Sequence, residues 1–228
     1  MEGGAIRTRR TILVVVLATA LIGTLVTASA FAWAKARNAP KPSWPLSIAV
    51  VGDSYSAGNN NLAGNNNLVV WPTLLAQRTG WSVANFALPG AGFAAGGGQA
   101  FAYQVDRAQG AHPQIIVMMA GVADEGYAGS GEVGQGAIDA INRIKLGGQR
   151  ALVIGPTWYE TPVPPSVTSV SDEIRKVADD AGVPYLDALD PPWLTTDQMQ
   201  PDMSFPTDQG QSVIADKVAA WLRTEVAG

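Results

Sequence analysis

The sequence predicts an α/β domain, a three-layer α/β/α sandwich around a five-stranded parallel sheet, carried behind an N-terminal transmembrane helix. Three observations predict it. Short apolar runs alternate with longer segments of helical spacing from residue 46 onward, residues 11–34 form an uncharged apolar stretch, and a proline-rich segment separates the two. Strands that alternate with helices imply a parallel sheet covered on both faces, joined by right-handed crossovers. The composition, 47% hydrophobic and 15% charged, is that of a folded chain, and the part beyond residue 45 suffices for one core but is short for two.

The chain opens with a head, residues 1–10, that carries Arg7, Arg9 and Arg10. Residues 11–34, TILVVVLATALIGTLVTASAFAWA, follow without a charge. As a helix rising about 1.5 Å per residue they reach roughly 36 Å, enough to cross a hydrocarbon core of about 30 Å. The arginines before the run, set against Lys35 and Arg37 after it, favour a cytoplasmic N-terminus and an outward-facing domain. The competing reading is a cleaved signal peptide, since Ala28-Ser29-Ala30 has the small-x-small form of a cleavage site. The run exceeds the about 7–15 apolar residues of an ordinary signal peptide, which favours the uncleaved anchor, and both readings export the domain. A buried core helix is disfavoured because the run has no polar face. Residues 35–45, with Pro40, Pro42 and Pro45, suit an extended tether, and the domain is expected over 46–228.

Within the domain, strands are expected at Leu46–Val51, Ser82–Ala87, Gln114–Ala120, Ala151–Gly155 and Val183–Asp187. Helical spacing covers Val70–Thr79, Gln99–Gln109, Glu132–Lys145, Val167–Ala181 and Pro206–Val226. In sheets of this kind function collects at the carboxyl ends of the strands. A tandem hexapeptide, AGNNNL at 57–62 and again at 63–68, has the composition of a surface loop, or of a lip that grips a ligand beside Ser54.

Charge and rare residues exclude several classes. The net charge is −4, yet Arg7, Arg9, Arg10, Lys35, Arg37 and Lys41 all lie near the N-terminus, so the domain itself is acidic. No basic stripe or stacking platform for nucleic acid is present. The absence of cysteine removes disulfides, thiolate chemistry and cysteine metal sites. The lone histidine, His112, precedes Pro113 at the start of the third strand, about 20 Å from the functional edge at roughly 3.3 Å per residue. With one histidine and scattered carboxylates, no metal or cofactor is expected.

The first strand runs directly into Gly52-Asp53-Ser54-Tyr55-Ser56, which places the Ser54 hydroxyl at the functional edge. Asn85-Phe86-Ala87-Leu88-Pro89-Gly90 follows the second strand, Gly121-Val122-Ala123-Asp124 the third, and Pro201-Asp202-Met203-Ser204-Phe205-Pro206-Thr207-Asp208-Gln209-Gly210 lies near the C-terminus. In order and spacing these four segments resemble the sequence blocks of the SGNH, or GDSL, hydrolases, and the resemblance spans Leu46 to Val226. It implies a flavodoxin-like strand order and an ester-hydrolase ancestry. It also implies Ser54 at the nucleophile position, Gly90 in the oxyanion hole and Asp202 as the triad aspartate.

Two positions depart from that pattern. Ala123 stands where the resemblance puts an oxyanion-hole asparagine, and Phe205 stands where it puts the catalytic histidine. An alanine has no side-chain donor, and a phenyl ring neither takes nor gives a proton. In a serine hydrolase loss of the base costs on the order of 10⁶ in rate, and loss of one oxyanion donor about 10²–10³. Ordinary triad chemistry is therefore expected only in trace.

Asp53, Tyr55, Asp124, Tyr127, Trp158 and Tyr159 are candidate binding residues around Ser54. For Asp53, Asp124 and the neighbouring Glu125 the alternative is a capping or loop role. For Trp158 and Tyr159, followed by Pro162, Pro164 and Pro165, it is packing rather than a wall for an apolar or carbohydrate ligand. Three functional readings follow: a degenerate hydrolase domain that binds an acyl or glycan ligand or an envelope protein, an unconventional esterase or acyltransferase acting through Ser54, and a structural module of the cell envelope.

Overall fold

A computed structural model describes residues 45–58 and 69–227. The expected membrane span, nearly all of the tether and most of the tandem hexapeptide lie outside these residues. Five strands, β1 (Ser47–Gly52), β2 (Ser82–Asn85), β3 (Ile115–Met119), β4 (Arg150–Ile154) and β5 (Tyr185–Leu186), form one sheet in the order β2-β1-β3-β4-β5. Every neighbouring pair is parallel. The order reverses between β1 and β3, so the two chains leaving these strands depart to opposite faces and open a crevice at the carboxyl edge.

Among the described residues six α-helices accompany the strands: α1 (Ser54–Ala57), α2 (Trp71–Thr79), α3 (Phe101–Gln109), α4 (Glu132–Leu146), α5 (Pro165–Ala181) and α6 (Asp208–Ala227). Alternate residues of each strand feed opposite cores, as the two-residue period of a strand requires. Ala49, Val51, Ile116, Met118 and Val153 pack beneath α3, α4 and α5 with Phe101, Ile141 and Ile174. Ile48, Val50, Val117, Met119 and Ile154 pack beneath α2 and α6 with Trp71, Leu75, Ile214 and Leu222. Among the described residues no helix is long and apolar enough to cross a membrane.

The element ends differ from the sequence expectations where a local contact takes the chain away. Pro206 bridges antiparallel to Met199, so α6 starts two residues later than its pattern, at Asp208. Val183 and Pro184 precede β5, and its ladder with β4 is limited to Tyr185 and Leu186. Pro165, with its fixed φ and no N–H to satisfy, opens α5 two residues earlier than expected.

Candidate active site

Ser54 begins α1 directly after β1, and the turn that carries it is clamped from several sides. Asp53 caps the helix, its Oδ1 accepting the Tyr55 N–H at 2.9 Å. Such a cap satisfies a donor that a helix start leaves open. Beneath it, the fully buried Gln104 of α3 holds Gly52 by both backbone groups: Oε1 accepts the Gly52 N–H at 3.0 Å and Nε2 donates to the Gly52 carbonyl at 3.1 Å. On the other face the buried Gln211 of α6 donates to the Tyr55 carbonyl at 3.1 Å and accepts the Trp71 N–H at 2.8 Å. The Trp71 indole donates to Ser56 Oγ at 3.0 Å, and Asn85 donates to the Ser56 carbonyl at 2.7 Å.

The Ser54 side chain itself stays half-exposed, and the Gly90 N–H donates to its Oγ at 3.3 Å. Gly90 has φ +72°, a left-handed conformation in which a side chain would be strained, and it is exposed. Asp124 secures the loop beyond it. This carboxylate is buried, with Oδ2 accepting the Phe93 N–H at 2.7 Å and Oδ1 accepting those of Ala94 and Ala95 at 2.9 Å each. A Cβ on Gly92 would lie 2.3 Å from Asp124 Oδ1, so the loop closes around the carboxylate only with glycine there.

Asp53 is also buried, and its second oxygen faces Gly121 and the Val122 amide without completing a hydrogen bond of normal geometry. A Cβ on Gly121 would sit 1.7 Å from that oxygen. Burial, reinforced by the nearby Asp124 charge, raises the Asp53 carboxyl to about pH 7. Ala123 stands half-buried in the 3₁₀ turn Val122–Tyr127, and its methyl group offers nothing to an oxyanion.

The C-terminal segment is arranged around a hydrophobic side chain. Phe205 is 0% exposed and meets Tyr55 edge-on at 6.0 Å between ring centroids. Asp202 is exposed and turned to its own loop, accepting the Ser204 N–H at 3.1 Å and the Ser204 hydroxyl at 2.7 Å. Those bonds, the hydroxyl first, hold its carboxyl below the ordinary range. Between them Met203 takes φ +57°, uncommon for a residue with a side chain.

Of the remaining candidates, Tyr55 is buried and its hydroxyl is pushed up by burial, then by the charge of Asp53 and the proximity of Tyr159. Trp158 and Tyr159 are half-buried and stacked, 4.9 Å between centroids and 19° between planes, with Tyr159 packed against the core that holds Phe205. The Trp158 indole N–H is buried without an acceptor. Tyr127 packs against the other core. Glu125 accepts the Ser166 hydroxyl at 2.7 Å. His112 is exposed ahead of β3, at the opposite edge of the sheet. Among the described residues no group of three His, Cys, Asp or Glu side chains gathers to hold a metal.

A serine after β1, an amide donor from the loop after β2, a turn after β3 and an aspartate block before the last helix follow one another in that order along the chain, and of these the first two are in contact, through the Gly90 N–H and Ser54 Oγ. The sequence pattern of the GDSL-like lipase/acylhydrolase family matches residues 50–213. The chain belongs to that family. Solved structures agree on the fold of this GDSL-family domain. A psychrotrophic esterase, EstA, from Pseudoalteromonas sp., solved with monoethylphosphonate inhibitor, superposes with a TM-score of 0.61 at 15% identity, covering 79% of this chain and 98% of that one. A member of the lipolytic G-D-S-L family from Veillonella parvula gives 0.55 at 16% identity, over 75% and 94%. A family two carbohydrate esterase from Clostridium thermocellum, in complex with cellohexaose, gives 0.59 at 14% identity, over 82% of this chain and 66% of that one. No curated protein matches the chain.

Gln104, Gln211 and the framing role of Asp124 escape motif reading. A signal for the two glutamines was present. Gln104 shares the helical face of Phe101, Val105 and Ala108, and Gln211 that of Ile214, Ala215 and Val218, so each is a polar residue at a core position.

Proposed function

We propose that this GDSL-family domain has lost ester hydrolysis and uses the face around Ser54 to bind an acyl or glycan ligand, or a partner, at the outer side of the membrane to which residues 11–34 anchor it. One observation carries the reading: the position of the general base is filled by Phe205, 0% exposed and packed on Tyr55. Attack by a serine needs a group that takes its proton and returns it to the leaving alcohol. No side chain in hydrogen-bond contact with Ser54 Oγ is available for that role among the described residues, its one recorded partner being the Gly90 N–H. Asp202, which would orient a base, is satisfied by Ser204 instead.

The clamps on the serine turn support binding rather than decay. Buried amides such as Gln104 and Gln211 are costly unless fully bonded, and here they fix the backbone on either side of the half-exposed Ser54 hydroxyl, at Gly52 and Tyr55. A second reading, an unconventional esterase, is favoured by that same accessible Ser54 with its Gly90 donor. The two separate on turnover of p-nitrophenyl acetate by the full chain, together with melting shifts across a panel of acyl and glycan compounds. Turnover lost in Ser54→Ala supports the esterase; a melting shift without turnover supports the binding domain, since a ligand that prefers the folded state raises its stability.

A further inference from the structure

Charge is distributed unevenly between the two edges of the sheet. Of the chain's 15 Lys and Arg residues, the six named above precede Pro45. Of the rest, none lies in a connection at the carboxyl edge, and one, Arg175, reaches a carboxylate there, that of Asp187. Arg78, Arg107, Arg143 and Lys145 lie in the last turns of α2, α3 and α4. Arg150 opens β4, Arg175 and Lys176 sit in the latter half of α5, and Lys217 and Arg223 lie beyond the second turn of α6. In a parallel sheet the crossover helices end, and the strands begin, at the amino edge.

The connections at the other edge, residues 53–58, 86–100, 120–131, 155–164 and 187–207, contain no Lys or Arg, and the tandem repeat at 57–68 has none either. Their acidic residues are another matter. Besides the buried Asp53 and Asp124 they contain Glu125, Glu160, Asp187, Asp190, Asp197 and Asp202. Among the described residues only Asp187 of these is paired with a cation, Arg175. Glu125, Asp197 and Asp202 accept from the hydroxyls of Ser166, Thr195 and Ser204 rather than from a cation.

The same edge carries a half-buried aromatic pair. Trp158 and Tyr159 stack immediately before Glu160, and Tyr159 packs on the core that carries Tyr55, the residue after Ser54. Aromatic faces receive the apolar side of a sugar ring and attract cations through their quadrupole. Among the described residues, a carboxylated or phosphorylated ligand would meet there no Lys or Arg free to pair with it, since Arg175 is engaged by Asp187. It would also meet several carboxylates whose fields extend about 8 Å at physiological salt.

We propose that the Ser54 face selects its ligand by charge, taking a saccharide that bears amino groups in preference to an uncharged one and excluding an anionic one. This rests on the reading of that face as the binding site. The test is equilibrium binding by calorimetry of the full chain, in a non-ionic detergent at about pH 6, where sugar amines are protonated. The probes are hexamers of glucosamine, N-acetylglucosamine and galacturonate. The glucosamine hexamer is expected to bind about tenfold tighter than the acetylated one at low salt, with the advantage falling to about twofold near 0.5 M salt. Galacturonate is expected not to bind. Glu160→Lys reduces the amino-sugar advantage by about threefold, while Asp179→Lys, in the last turn of α5 at the amino edge, leaves it unchanged. Equal binding of the three hexamers, preference for galacturonate, no binding by any of them, or an equal effect of Asp179→Lys overturns the proposal. Robust Ser54-dependent turnover of p-nitrophenyl acetate would instead overturn the silent-site reading, and the charge order is then read from turnover of aminated, neutral and carboxylated acetyl esters.

Discussion

Replacing Asp124 with alanine removes the carboxylate around which the Phe93–Ala95 loop is folded. Three backbone N–H groups lose their acceptor at once, at 2.7, 2.9 and 2.9 Å. A hydrogen bond to a charged group contributes about 1.5–3 kcal/mol, and water entering the vacated space returns part of it, so the expected loss is about 4 kcal/mol. For a domain of this size that lowers the melting temperature by roughly 10 °C. Asp124→Asn keeps one oxygen, which can serve Ala94 and Ala95, but turns an NH₂ toward the Phe93 N–H, and its cost should fall between wild type and alanine at about 2 kcal/mol. Urea unfolding followed by tryptophan fluorescence reads both, with an unchanged slope confirming that only stability moved. A loss below about 1 kcal/mol for Asp124→Ala would refute the assignment of this residue as the frame of the loop that carries Gly90.

Phe205→His should destabilise the domain by about 2–4 kcal/mol, because a polar ring replaces a fully buried one. Combined with Ala123→Asn it should raise p-nitrophenyl acetate hydrolysis only slightly, since Asp202 is held by Ser204; a gain in the double variant no greater than in either single one would count against the two assigned positions. Asp53, neutral in the folded protein up to about pH 7 but ionised above about pH 4 when unfolded, takes up a proton on folding across that window. Its contribution is therefore fully present below the unfolded value and is lost as pH rises toward 7; Asp53→Asn, which keeps an acceptor for the Tyr55 N–H, should flatten the fall in urea stability between those pH values, and an unaltered profile would contradict the shift. Met203→Gly should stabilise by about 0.5–1 kcal/mol by relieving a left-handed backbone at an exposed site, measured as a higher urea midpoint, and a lower midpoint would show that the methionine side chain packs usefully.

The sheet was legible because its three central strands are near-continuous apolar runs between turn-forming residues, and buried parallel strands require such runs. The short last strand was harder: Val183–Asp187 reads as five residues, yet an edge strand needs only one neighbour and pairs at two. In the site, Ser54, Gly90 and Ala123 stood out because motif order places them at the strand ends. The inward turn of Asp124 did not, since a carboxylate in a glycine-rich loop reads as exposed until the loop is folded around it. Gly92 and Gly121 carry the explanation, as each leaves room that a Cβ would deny to Asp124 or Asp53.

That Ser54 is well placed but has no base is tested most directly by reaction with a fluorophosphonate, because the reagent phosphonylates serines whose proton is removed, the Oγ–P bond forming as fluoride leaves. Intact-mass analysis of the folded full chain, with Ser54→Ala alongside, should show no adduct at Ser54 over a period in which an active serine esterase is fully modified. A stoichiometric adduct on wild type that is absent from Ser54→Ala would show that some group activates the hydroxyl, and would contradict the account.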